Sequence, residues 1–234
     1  MERGGGVYQY NSQNMVVLDS LTVAGYCEYV KRAISYSGSL VQINEAVYNY
    51  QITLNSAGMP THTLLTHPNY SDTYDATYGT DGKLTSVTDH YSYFGGQPTN
   101  PTTTNWSNFT YDANGNLTGY TTTTTDDVTH TSYTPSNFTF TYYTDKLYKN
   151  EFDPLMKLYA LSGKHSTYGG EAFESTPQPF SKNLLKKIQT DGGATTIDFA
   201  YTFDADGNVV SVTITNNSGA GNYTLVKTIT YQCS

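Results

Sequence analysis

Two cysteines, one tryptophan, twelve Lys and Arg, and no long apolar run mark this 234-residue chain by what it has little of. Each scarcity excludes something. No stretch approaches the roughly 18 continuous apolar residues of a membrane-spanning helix, so the chain does not cross a bilayer in that form. Twelve scattered cations against twenty acids give a formal charge of -8. Such a surface does not neutralise phosphates, and no nucleic-acid partner is expected. The opening residues "MERGGG" hold charges and glycines but no apolar segment, so no export signal is visible in them.

The even pair Cys27 and Cys233 suits a disulfide joining the first and last strands in an oxidising compartment; two buried free thiols are the alternative. His62, His67, His90, His130 and His165 lie on different predicted elements without HxH or HExxH spacing, so no metal is expected. Neither a Gly-x-Ser-x-Gly elbow nor a Gly-rich phosphate loop opening a helix occurs, which leaves hydrolase and nucleotide readings without an anchor and implies no cofactor.

What is abundant is Tyr, at 23 residues, and Thr, at about one residue in six. β-Branched and aromatic side chains pack across neighbouring strands, whereas in a helix they lose rotamer freedom. The composition therefore predicts an all-β protein. One pattern recurs within it: "YGTDGKLTSVT" (78–88), "YDANGNLTGYT" (111–121) and "FDADGNVVSVT" (203–213) each set a short polar turn between alternating runs, and "NYQITLNSAGMPTHTLL" (49–65) repeats the plan. Gly58, Gly82, Gly115 and Gly207 take the turn position where a side chain would collide with its own backbone, and the Asp or Asn beside them can bond the turn locally. These are β-hairpins. Further strands are predicted at Val7–Tyr10, Val16–Thr22, Tyr26–Tyr36, Leu40–Ile43, Val128–Tyr133, Phe138–Tyr142, Leu184–Thr190 and Tyr223–Tyr231.

Short turns pair successive strands, so the prediction is one domain over 1–234: an antiparallel meander bent into a strongly curved sheet or a partly closed barrel. "EFDPLMKLYALSGK" departs from this, with Asp153 as N-cap, Pro154 at the first helical position, Leu155, Leu158, Tyr159 and Leu161 on one side and Gly163 as stop. One short helix is expected there. A Gly/Pro/Ser-rich loop at 162–183 follows, long enough to serve as a plug, lid or binding loop, or to be a plain surface excursion.

"YDANGNLTGYT" resembles the YD repeat of Rhs-type proteins. The serial hairpins, "YYTDKLYKNEFD", the Gly-rich loop, "SKNLLKKI", "YTFDADGNVVSVTIT" and the terminal "TYQC" together resemble the DUF4595 family of Bacteroidetes lipoproteins, described as having a porin-like fold. The likeness runs from about residue 45 to the end. It implies a curved antiparallel sheet in an exported, lipid-anchored protein of the bacterial periplasm or outer-membrane surface, and brings no assigned activity or site residues.

Candidate chemistry is sparse. "DANGN" (112–116) and "DADGN" (204–208) alternate carboxylates and amides, but their Gly falls fourth and apolar residues follow, unlike an EF-hand loop. Turn bonding explains them. Asp153, Glu151, Glu171 and Glu174 gather beside the long loop and are the acids on which a polysaccharide-acting enzyme would draw. In "DHYSYFGGQPTNPTTTNWSNF" (89–109), Tyr91, Tyr93, Phe94 and Trp106 could stack on a sugar ring, or could simply pack across the sheet. A lipid-spanning barrel needs an apolar outward row, and these strands put Thr, Asn and Ser on both faces. The sequence thus points to a noncatalytic envelope or surface protein binding a glycan or another protein, with an assembly or adhesion unit as the alternative and the enzyme as a more remote one.

Overall fold

The structure is a computed structural model, and it describes residues 6–13, 15–23, 28–95, 100–147, 181–191, 195–218 and 221–228. Fifteen strands make one sheet: β1 (Gly6–Tyr10), β2 (Val16–Val23), β3 (Glu28–Ser37), β4 (Leu40–Glu45), β5 (Tyr48–Leu54), β6 (Pro60–His67), β7 (Tyr70–Tyr78), β8 (Leu84–Tyr93), β9 (Thr102–Tyr111), β10 (Leu117–Asp126), β11 (Ser136–Leu147), β12 (Asn183–Thr190), β13 (Thr195–Phe203), β14 (Val209–Ser218) and β15 (Gly221–Thr228). Spatial order follows chain order from β1 to β15, and neighbours run antiparallel. The ends do not pair with each other, so the meander stays open.

The described residues include no α-helix. The helix and the acids predicted at 151–174 lie outside the described residues, as do Cys27 and Cys233 and most of the loop at 162–183. That loop's last residue, Asn183, begins β12. The strand predicted at Val128–Tyr133 is not formed. Asp126 Oδ1 accepts the backbone N–H groups of Val128 (3.0 Å) and Thr129 (2.7 Å), which curls the chain into a turn after β10 and outcompetes extension.

The four glycine-marked hairpins share one five-residue turn. Its first backbone N–H donates to the carbonyl of the fifth residue, at 2.9 Å for Asn55 to Met59, 2.8 Å for Gly79 to Lys83, 3.0 Å for Asp112 to Asn116 and 2.9 Å for Asp204 to Asn208. The first side chain also accepts two turn N–H groups: Asp112 Oδ1 takes Asn114 (2.9 Å) and Asn116 (2.8 Å), and Asp204 Oδ1 takes Asp206 (3.0 Å) and Asn208 (2.8 Å). The fourth residue is Gly58, Gly82, Gly115 or Gly207, at φ between 75° and 85°. A further copy at Asn11–Met15 keeps both kinds of bond. The sequence "NSQNM" hides it, because Asn stands where the others have Gly.

With turn length fixed, register is fixed, and the two-residue strand period sorts side chains onto two faces. The outer face carries Thr, Ser, Asn and Gln, with hydroxyls bonded across strands: Thr77 to Ser86 at 2.7 Å, Thr118 to Thr110 at 3.0 Å, Thr202 to Ser211 at 2.6 Å. The inner face carries the core. Ile34, Val41, Ile43, Tyr50, Ile52 and Leu65 pack along β3–β6, Tyr74, Ala76, Leu84, Val87 and Trp106 along β7–β9, and Leu117, Phe140, Leu185, Ile188, Phe199, Val212 and Ile214 along β10–β14. Apolar inside and polar outside is the reverse of a lipid-facing barrel wall.

One buried polar knot ties the chain where β12 starts. Asn116 Oδ1 accepts the N–H groups of Lys182 (2.8 Å) and Asn183 (2.9 Å), and its Nδ2 donates to Asp112 Oδ2 (2.8 Å) and Asn183 Oδ1 (3.0 Å). Ser181 Oγ meanwhile accepts from Leu117 N and donates to the Tyr142 hydroxyl at 2.8 Å. The "SKN" of the sequence thus clips β12 to the β9–β10 turn, across β11.

Two expectations follow. Gly207→Ala should lower stability by about 1–2 kcal/mol, the cost of a left-handed L-residue, although no heavy atom lies within 4 Å of the new Cβ; denaturant midpoints check this, and an unchanged midpoint would refute the turn geometry. Asn116→Ala should cost at least about 2 kcal/mol, since it strands several buried partners; denaturant midpoints check this too.

Candidate functional site

Cross-strand rows on the inner face change character from one side to the other. One row runs Ile34, Ile43, Tyr50, Leu65, Asp72, Tyr91, Thr102 and Asp126; the next runs Val41, Ile52, Thr63, Tyr74, Asp89, Thr104 and Thr124. Both are apolar on β3–β5, and from β7 onward they carry Asp72, Asp89, Thr102, Thr104, Thr124 and Asp126 beside the rings of Tyr74 and Tyr91. A face that elsewhere holds the core therefore has a polar end, on β7–β10.

At the strand ends beside it lies a ladder of rings. Tyr48 and His67 stack with centroids 4.9 Å apart, His67 and Tyr70 at 4.6 Å, and Tyr91 closes the ladder 5.5 Å from Tyr70 with its plane tilted by 41°. These rings are partly buried. Such offset contacts add about 0.5–1.5 kcal/mol each beyond area burial. Arg32 and Glu45 extend the same row as a buried ion pair at 2.9 Å.

Below the ladder sit two buried carboxyls, Asp72 and Asp89, at 5% and 8% exposure. The Tyr74 hydroxyl donates to Asp72 Oδ2 at 2.6 Å, and Asp89 lies opposite Tyr74 across the β7–β8 pair, where the Asp72 carboxyl bears on it. Burial foremost, then the Asp72 carboxyl, pushes Asp89 up to about 9, against a lowering effect of Tyr74. The pair thus keeps a proton at neutral pH, as adjoining carboxyls do when both cannot ionise. Asp89 Oδ1 and the fully buried Thr63 Oγ1 have no hydrogen-bond partner. Burial pushes the Tyr70 and Tyr91 phenols upward, with Asp72 contributing to both, so its charge reaches the rings.

The four aromatic residues picked from the sequence do not come together. Tyr91 ends the ladder and Tyr93 lies on the same face, its hydroxyl donating to Gly95 O at 3.2 Å. Phe94 is exposed, while Trp106 is buried in the core and stacked on Tyr120 at 5.1 Å and 8°. Trp106 pairs with Val87, four residues along β8 from Tyr91. Sequence reasoning missed Tyr48, His67, Tyr70, Asp72 and Asp89. Alternation in "YSDTYDATY" would have shown Asp72 sharing a face with Tyr70 and Tyr74.

Other polar clusters resolve into structural bonding. Thr103 Oγ1 lies 2.8 Å from His90 Nδ1 and donates to Asp127 Oδ1 at 2.7 Å. With its proton directed at the carboxylate, the hydroxyl accepts a hydrogen bond from the imidazole rather than donating one, the wrong order for an activated nucleophile. Among the described residues no three His, Cys, Asp or Glu side chains converge as metal ligands. Asp112 spends both oxygens on its own turn.

Solved structures with this arrangement exist. A porin-like protein from Bacteroides vulgatus ATCC 8482 superposes with a TM-score of 0.58 at 12% identity, covering 95% of this chain and 90% of that one. A porin-like protein from Bacteroides uniformis ATCC 8492 gives 0.54 at 17% identity, over 94% and 86%. The chain shares their fold. No protein-family model matches it, and no curated protein is similar to it.

The acid pair makes stability depend on pH. Folded Asp89 retains a proton that the unfolded chain releases near the ordinary value of 3.8, so its contribution to stability is lost as pH rises from about 4 to about 9. Asp89→Asn should flatten that slope and stabilise most at the alkaline end. Denaturant midpoints across the range check it; an identical slope in both proteins would contradict the shared proton.

Proposed function

We propose that this protein is a noncatalytic module of a bacterial envelope or cell surface, of the DUF4595 lipoprotein type, that holds a glycan at the polar end of its inner face. The observation that carries the reading is the ladder of Tyr48, His67, Tyr70 and Tyr91 standing over the Asp72–Asp89 pair. Flat rings fit the apolar faces of a sugar, and the half-buried hydroxyls of Tyr91 and Thr102 exchange hydrogen bonds with its hydroxyls. Tyr91 is the ring to bind first: it ends the ladder, no further described ring stacks beyond it, and Thr102 lies opposite with a hydroxyl on the same face. The resemblance of the YD-like hairpins and of "SKNLLKKI" supports the envelope assignment, as does the fold shared with porin-like proteins of Bacteroides.

An assembly role is the second reading, and β15 favours it. Among the described residues this strand pairs on one side only, with β14, and it shows Tyr223 and Val226 at 37% and 59% exposure. Edges of this kind accept further strands.

A glycan array followed by calorimetry separates the two. On the glycan reading, Tyr91→Ala weakens binding about tenfold, the loss of one stacking contact of about 1.4 kcal/mol, while Tyr223→Ala leaves it unchanged. On the assembly reading no glycan binds, and light scattering shows self-association that Val226→Lys abolishes.

A further inference from the structure

A tyrosine stands immediately before two of the glycine-marked turns, Tyr78 in "YGTDG" and Tyr111 in "YDANG". The turn closes without it, since Leu54 and Phe203 hold the same place in the other two. Each tyrosine is paired along the backbone with the residue that follows its own turn, Tyr78 with Leu84 and Tyr111 with Leu117. Its hydroxyl reaches the other way, to the preceding hairpin. The Tyr78 hydroxyl donates to Pro60 O at 2.7 Å, the Tyr111 hydroxyl to Leu84 O at 2.8 Å, and the Tyr142 hydroxyl to Leu117 O at 2.6 Å. The three acceptors are alike, each the first residue after a five-residue turn. One line of bonds thus crosses β6 to β11, from Pro60 to Tyr142.

These bonds stand where the sheet's own ladder has stopped. Between hairpins the pairing ends at His62–Asp75, Val87–Trp106 and Gly119–Thr139, short of Pro60, Leu84 and Leu117. At the opposite end of the strands it runs up to the turn, as at His67–Tyr70. The carbonyls at the parted seams belong to buried residues, where an acceptor without a donor costs the desolvation of that group. Burial pushes all three phenols upward, so each keeps the proton it donates. Lys83, in the β7–β8 turn, reinforces the second seam with its Nζ 5.4 Å from the centroid of the Tyr111 ring. We infer that Tyr78, Tyr111 and Tyr142 couple each hairpin to the next, their hydroxyls replacing backbone donors where the seams part, so that β6–β11 open together and not hairpin by hairpin.

Native-state hydrogen exchange on the full chain tests this with Tyr78→Phe, Tyr111→Phe and Tyr142→Phe, each of which keeps the ring and removes the hydroxyl. Tyr111→Phe should speed exchange about tenfold, the loss of one hydrogen bond, at the amides of Val87, Thr88, Asn105 and Trp106 beside its seam. Asn114, Gly115 and Asn116, in its own turn, should exchange as before. The other two variants should act in the same way at His62–Asp75 and at Gly119–Thr139, and Tyr133→Phe, at an exposed ring, should change nothing. Unchanged exchange at the seams would overturn the inference, because the hydroxyls would then hold nothing. An equal acceleration at every amide would overturn it too, because they would then supply general stability and no coupling. Should the variants not fold, the natural protein decides: its seam amides should be protected as well as those paired inside the hairpins, and seam amides exchanging far faster would contradict the coupling.

Discussion

Five of the sheet's reversals rest on one constraint, a hairpin turn of five residues that most copies close with their own first side chain. In each copy the first residue's backbone N–H reaches the fifth residue's carbonyl, and where Asn or Asp stands first its side chain takes two more turn N–H groups. Five backbone and side-chain groups are thereby satisfied with no help from the rest of the protein. The strands leave the turn in a set register, and a set register decides which residues face inward. A sheet rich in Thr on its outer face would otherwise slide, because Thr beside Thr or Ser looks much the same one step along.

What faces inward then follows from alternation. On β3–β6 it is Ile, Val, Leu and Tyr, and the result is core; on β7–β10 the same positions hold Asp72, Asp89, Thr102, Thr104 and Asp126, and the result is a polar patch bordered by rings. A protein without use for them would be more stable with apolar residues at Asp72 and Asp89, since burying two carboxyls forces one to stay protonated. A buried acid pair of this kind is one ground for the proposed glycan site at this end of the face.

Much of the fold was legible in the chain. Gly58, Gly82, Gly115 and Gly207, each flanked by alternating residues, announced hairpins, and sequential hairpins announced a meander. The turn at Asn11–Met15 lacked the glycine that marks the others, and the expected strand at Val128–Tyr133 had the right residues but lost to the Asp126 side chain, a local competitor that propensity does not weigh. The site was far less legible. Trp106 and Phe94 stood out by residue type, yet burial took one into the core and exposure took the other to the surface. Tyr48, His67, Tyr70 and Tyr91 meet only because three successive hairpins bring them into line, which no short window of sequence displays.

Register is therefore the claim to test, and site-resolved NMR tests it most directly through cross-strand contacts between backbone protons. The account predicts contacts pairing Tyr74 with both Thr63 and Asp89, and Val212 with both Tyr201 and Lys227. An offset of one residue at either place would turn the acid pair or the core outward and contradict it.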